Sequence, residues 1–377
     1  MKDQKQNLIK TRRLKKKMDS SSLYKVVEIE GKDLGCVALK DIKIGTLIVK
    51  ETPQCVANEE LYSKELYAQY LASQLESFFA MSKENQAQFL TLSNSFTNPD
   101  SLSDNLKDCH EKINQFAEIY YPRIVKILEI NRRIDTKLFN DILCLYKTNA
   151  FGVGVGLKCS RFNHSCCSNA EALQEKNEIE IRAVSTIKAG AEITIHYNKK
   201  IAMKNYKTRQ EFLKNIGGFI CDCELCQQEK IDVGAEEKIY EAFQNLEAQV
   251  EKVKTNMKGE SLENVSKMYE NRIKLISCFK QMYKLAKDKK APRKFILYIV
   301  LQNAFQAAAE GFLTAKMCHD FDKMEFFKKE CEKLSMAGVQ IAIISCGKDS
   351  STTKCWKEKN ENFENWLKKS EIFGAKY

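Results

Sequence analysis

Three thiols stand in "FICDCELC", at Cys221, Cys223 and Cys226, with C-x-C-x2-C spacing. Thiolates this close can converge on one soft cation within a tight turn, but a tetrahedral zinc ion would still lack a ligand. The nearest upstream candidates for the fourth are Cys159, Cys166 and Cys167. A site closed by four thiolates has no open position for water, so such a metal would pin the chain and take no part in a reaction. The chain has 15 cysteines and no long apolar segment after its basic start. Its thiols are therefore expected to be reduced and intracellular, and clustered ones read as metal ligands before they read as disulfides.

Two of those candidates lie in "RFNHSCCSNA", residues 161–170, where two amides, an imidazole, two thiols and two hydroxyls share ten positions. A solitary histidine in an Asn/Ser-rich turn is more often a hydrogen-bonded structural residue than a catalyst. Tyr197, closing "EITIHY", can be a plain strand aromatic with its hydroxyl at a sheet edge. Singly, Asn163, His164 and Tyr197 settle nothing.

The surrounding elements follow from periodicity. Residues 23–57 alternate apolar and polar in "YKVVEIE" and "TLIVKE", with turn signals at Gly31–Asp33 and Lys43–Gly45, a β pattern. From 58 to 146 the apolar spacing lengthens to three and four, as in "ELYSKELYAQYLASQLESFFAM" and "INQFAEIYYPRIVKILEINRRI", which predicts helices broken near 93–103. Period two returns over 151–198, in "EIEIRAV" and "EITIHY" joined by "KAG" at 188–190. An internal echo pairs "ALKDIKIG" (38–45) with "AVSTIKAG" (183–190), and predicts two similar hairpins in one sheet. After Cys226 helical segments are expected near 235–256, 261–288, 293–315, 322–345 and 359–371, with a loop at "GKDSSTTK", 347–354.

At 377 residues, 44% hydrophobic and 29% charged, the chain is an ordinary globular one, long enough for two domains. Its net charge is +11, of which +7 falls in residues 1–17 around "TRRLKKK". The body is near neutral, so no broad phosphate-gripping surface is implied, and direct nucleic-acid contact is confined to the basic tail. The longest continuous apolar run, "FILYIVL" at 295–301, is far shorter than the ~20 residues of a membrane span.

Together, "LGCVALKDIKIGTLI", "FNHSCCSNA", "AGAEITIHYN" and "GGFICDCELC" resemble the SET-domain protein lysine methyltransferases, specifically the SET- and MYND-containing branch. The resemblance implies an α+β chain: a β-rich SET fold with a helical insertion and a cysteine-rich post-SET zinc site, followed by an all-α C-terminal domain. The expected divisions are a basic tail (1–22), the SET N-terminal part (23–57), the helical insertion (58–146), the SET C-terminal part (147–216), the post-SET zinc segment (217–230) and the helical domain (231–377). The insertion holds only Cys109, His110 and Cys144 of the residues a MYND zinc finger would need, so that module is expected to be missing.

The resemblance further implies S-adenosylmethionine as methyl donor and a structural zinc ion on Cys166, Cys221, Cys223 and Cys226. Gly35, Asn149, Asn163, His164, Tyr197 and Phe219 would contact the donor, with Phe219 on the adenine ring and Tyr197 as the catalytic tyrosine. The expected partner is a lysine-bearing protein, such as a histone tail, met by a monomer in nucleus or cytoplasm. Three positions depart from the family pattern: Leu34 stands for Asn, Ser168 for Pro, and Gly217 for a channel aromatic. A lysine methyltransferase and a catalytically silent interaction module built on the same shell are the two competing function classes.

Overall fold

The computed structural model describes residues 22–61, 63, 66–97, 102–127, 136–175, 177–198, 201–231, 237–257, 264–287, 294–348, 350–363 and 365. The basic run at 11–17 and the stretch 366–377 lie outside them.

The period-two segments form two sheets. Strands β1 (Tyr24–Ile29) and β2 (Asp33–Ala38) make an antiparallel hairpin, its turn closed by Gly31 and Asp33 at φ of 74° and 58°. Strand β7 (Glu192–Ile195) adds to β2, and the two-residue strand β4 (Asn163–His164) runs parallel to β7. Strands β3 (Leu47–Glu51), β6 (Glu178–Ala183) and β5 (Ala170–Glu175) make the second sheet, in the order β3-β6-β5. Cys36, Ala38, Ile42, Ile181, Ile187 and Ile193 are all buried in the core these strands share.

The echoed segments correct the hairpin expectation. Both edges of β2 are already taken, by β1 and β7, so the chain leaving β2 must cross to the other sheet, and the chain leaving β6 makes the reverse crossing. Each copy is therefore a corner. The two corners clasp each other antiparallel: Ile42 and Ile187 exchange backbone hydrogen bonds of 2.8 and 2.9 Å, while Gly190 N–H donates to Ala38 O at 2.8 Å and Gly45 N–H to Ala183 O at 2.7 Å. Equivalent residues make equivalent bonds, so the sequence echo is a local two-fold relation between corners.

Between β3 and β4 lie helices α1 (Tyr67–Ala80), α2 (Lys83–Phe89), α3 (Asp104–Ile127) and α4 (Thr136–Asn149), whose apolar faces bury Leu75, Phe89, Phe139 and Ile142. Helix α5 (Tyr206–Gly217) follows β7; Asn205 caps its start by accepting from Thr208 N–H, and Gly218 ends it at φ 70°. Helix α6 (Glu224–Ile231) follows directly.

The C-terminal bundle comprises α7 (Glu237–Met257), α8 (Val265–Lys287), α9 (Lys294–Met317), α10 (Phe321–Cys346) and α11 (Ser351–Glu361). The expected loop at 347–354 is helical from Ser351 onward, because Ser350 caps that helix by accepting from Thr353 N–H and Trp356 is fully buried. The expected helix at 359–371 thus begins earlier, and its end falls outside the described residues. Helix α9 also exceeds its short apolar run: Ile296–Met317 is long and apolar enough to cross a membrane, and 56% of its most apolar stretch is buried inside the protein.

Ile187 is buried at one corner and faces Ile42 at the other. Ile187→Ala should lower the unfolding free energy by about 2–5 kcal/mol, as read from urea unfolding followed by tyrosine fluorescence; a loss well below ~1 kcal/mol would mean the corners carry little of the fold.

Candidate active site and metal centre

The sulfurs of Cys166, Cys221, Cys223 and Cys226 all lie within 4.8 Å of one another. Cys166 Sγ is 4.0 Å from Cys221 Sγ and 3.6 Å from Cys226 Sγ. Four sulfurs around a zinc ion at ~2.3 Å would stand roughly 3.8 Å apart, so the cluster fits a soft tetrahedral cation. Of the three upstream candidates, Cys166 completes the set, whereas Cys159 is buried under β6, its thiol turned to the Ile179 carbonyl. Cys166 Sγ donates toward Cys221 Sγ, which lowers the Cys221 thiol below its ordinary value. No other group of three or more potential metal ligands occurs among the described residues, including around Cys109 and Cys144.

Cys166 stands two residues past His164, which is buried in β4. The backbone N–H of Tyr197 donates to His164 Nδ1 at 3.1 Å. Nδ1 is therefore the acceptor nitrogen and the proton sits on Nε2, which lies 3.4 Å from Cys166 Sγ. One imidazole thus joins Tyr197 to a sulfur of the cluster. The parallel pairing of β4 with β7 sets Asn163 beside Thr194 and His164 beside Ile195. Asn169 locks this pairing: its amide donates to Glu192 O at 2.8 Å and accepts from Thr194 N–H at 2.9 Å.

A cavity of about 1080 Å³ opens over this junction, slightly larger than the usual range for small-molecule sites. Asn149, Asn163, His164, Tyr197 and Phe219 line it. The rings of Tyr197 and Phe219 meet edge-on with centroids 6.2 Å apart, and His164 lies 5.3 and 6.0 Å from them. The Tyr197 hydroxyl donates to the Phe162 carbonyl at 3.2 Å, which leaves its lone pairs free to accept a hydrogen bond. Water reaches 45% of the Tyr197 surface along the cavity, yet protein is packed around the ring closely enough that burial, then the Glu192 carboxylate, pushes the phenol above its ordinary value.

Other predicted residues are placed differently from their neighbours. Gly35 does not line the cavity; a Cβ there would come within 2.6 Å of Asn163 Nδ2 and 2.7 Å of Ile29 Cγ1. Its bareness lets the Asn163 amide reach Leu34 O at 3.3 Å and Glu192 Oε1 at 2.9 Å. At position 34 it is therefore a carbonyl that meets Asn163. The Asn149 amide nitrogen is spent on Ser93 O at 2.7 Å and Leu145 O at 2.8 Å, so only its oxygen remains for a ligand. Gly217 makes room for the Phe219 ring, whose Cε1 would stand 2.7 Å from a Cβ there; with Phe219 in this position no aromatic fits at 217.

Two polar residues of α5 support the cysteine cluster from behind. Gln210 on α5 brackets Cys221, accepting from its N–H at 2.8 Å and donating to its carbonyl at 2.9 Å, while the same nitrogen lies 3.2 Å from Cys226 Sγ. Arg209 beside it is fully buried. Their only signal was two long polar residues on the helix face that also buries Leu213.

Residues 33–198 match the family model of the SET domain. Among curated proteins, the chain is similar to the putative SET domain-containing protein L678 of Acanthamoeba polyphaga mimivirus, 27% identical over 59% of this chain and 82% of that protein. It is 26% identical to the histone-lysine N-methyltransferase set5 of Schizosaccharomyces pombe over 56% of this chain, and 29% identical to the mouse histone-lysine N-methyltransferase SMYD3 over 32% of it. It spans 52% of the length of set5 and 28% of that of SMYD3. The two sheets, the cavity over β4 and β7 and the cysteine cluster beside them therefore lie in and around the stretch that matches the SET-domain model.

Proposed function

We propose that this chain is an S-adenosylmethionine-dependent protein-lysine N-methyltransferase whose four-thiol cluster holds a structural zinc ion. The observation that carries the reading is the convergence of Tyr197, His164, Asn163 and Phe219 on one cavity, supported by the SET-domain match and by relatives named as histone-lysine N-methyltransferases. The cavity has the mixed lining such a donor needs, with an aromatic face at Phe219 for a purine and polar groups at Asn163 and Asn149 for its amino-acid end. The finer placement in the SET- and MYND-containing branch rests on short stretches of similarity, and the substrate proposed is a lysine-bearing protein such as a histone tail.

The bound donor supplies an electrophilic methyl group on a sulfonium. The protein must deliver a neutral amine in line with it, although only roughly one free lysine in 2,500 is neutral at pH 7. Enclosure in the cavity beside Tyr197 disfavours the ammonium through desolvation, and the neighbouring sulfonium cation disfavours it further. The Tyr197 hydroxyl, its own proton committed to Phe162 O, accepts an N–H of the amine and so aims the nitrogen lone pair; alignment of this kind converts an encounter into a near-unimolecular step. Tyr197 acts here as a neutral acceptor, and its raised pKa keeps it so. His164 has both ring nitrogens engaged by protein and borders the donor with ring carbons and main chain. Cys166, Cys221, Cys223 and Cys226 would hold the zinc.

Tyr197→Phe should bind S-adenosylmethionine with near-unchanged affinity by calorimetry while methyl transfer to protein in cell extract falls about 100-fold; unchanged transfer would remove Tyr197 from the reaction, and a wild type that binds the donor but transfers to no substrate pool would favour the silent module. Because the Tyr197 phenol titrates above its ordinary value, single-turnover transfer should rise with pH up to about pH 9–10 as the amine deprotonates, and a falling limb below that, absent in Tyr197→Phe, would contradict the acceptor role. Freshly purified reduced protein should contain close to one zinc per chain by atomic emission, and Cys223→Ser far less; a metal-free wild type would overturn the zinc assignment.

A further inference from the structure

We propose that Arg209 is a positioning residue for the metal centre: its guanidinium separates the thiolate cluster from the largely enclosed carboxylate of Glu229. This rests on the reading of the cluster as a zinc site. Arg209 lies in the first turn of α5 with no solvent exposure. Its Nη2 sits 3.6 Å from Cys226 Sγ and 2.8 Å from Glu229 Oε2, while Nη1 donates to Lys204 O at 2.7 Å and reaches the Tyr240 hydroxyl at 3.3 Å. Tyr240 belongs to α7, and its hydroxyl donates to Glu229 Oε1 at 2.6 Å.

A divalent ion held by four thiolates keeps net negative charge. The Glu229 side chain is only 10% exposed and would face that charge across a dry gap without Arg209 between them. A buried anion left without its counter-charge is strongly unfavourable, so the arginine serves both sides: it offers an N–H to a ligand sulfur and neutralises the carboxylate behind it. Outer-shell partners of this kind orient ligands and set how firmly the ion is kept. Since Tyr240 closes the same triad, the first helix of the C-terminal bundle is fastened to the metal centre through one guanidinium.

The two roles of Arg209 predict an unusual double-mutant pattern. In zinc-loaded full-length protein, transfer of zinc to a chromophoric chelator should be about 10- to 100-fold faster for Arg209→Gln than for wild type. Glu229→Gln added to it should recover most of that loss, because the carboxylate no longer opposes the thiolates. In cobalt-substituted protein the thiolate charge-transfer band should move to longer wavelength in Arg209→Gln, as Cys226 loses a hydrogen bond. A release rate equal to wild type, or a double variant as fast as or faster than the single, would overturn the role. Should the glutamine variant fail to fold by circular dichroism, Arg209→Lys keeps the charge and loses the guanidinium fork; an unshifted cobalt band there would equally overturn it. A wild type that retains neither zinc nor cobalt would sink the metal reading first, which is a separate result.

Discussion

The His164 ring is where the two halves of the site depend on each other. Its Nδ1 takes the Tyr197 amide proton and its Nε2 proton points at Cys166 Sγ, so the tyrosine that borders the cavity and a sulfur of the cluster are held by opposite edges of one imidazole. Neither bond could form if β4 did not lie parallel to β7 in the register that places His164 beside Ile195. That register is in turn secured by the Asn169 amide, which satisfies a donor and an acceptor on β7, and by the two corners that carry the chain between sheets. A one-residue slip in so short a strand would turn His164 away and break both bonds at once.

Crowding explains why several positions carry small residues. Asn163 approaches Leu34 only because position 35 has no Cβ, and Phe219 lies where it does only because position 217 has none. These two glycines trade side-chain contacts of their own for the placement of a neighbour. At position 34 the backbone carbonyl is what meets Asn163, and at 217 the missing Cβ is what leaves room for the Phe219 ring.

What could be read in advance followed from periodicity and from close spacing. The thiols at 221, 223 and 226 are near enough in sequence to converge in almost any fold, and the helices α7 to α10 lie close to the segments their 3.6-residue period marked out. The echo at 38–45 and 183–190 was visible but its meaning was not, because whether two similar turns share a sheet depends on which strand edges are already filled, a long-range fact. Arg209 and Gln210 were invisible for a related reason: a polar residue on a helix reads as surface until tertiary contacts bury it. The start of α11 was missed because its serines and threonines look like loop, while the Ser350 cap and the buried Trp356 make them helix.

The central claim is that a cation bound by four thiolates braces the cavity through His164 and Phe219. It is tested most directly by titrating one preparation with S-adenosylmethionine three times: as purified, after removal of metal by a chelator under reducing conditions, and after zinc is restored. The account predicts that affinity falls on stripping and returns with zinc while the C-terminal bundle stays folded by circular dichroism. Equal affinity in all three states would contradict it.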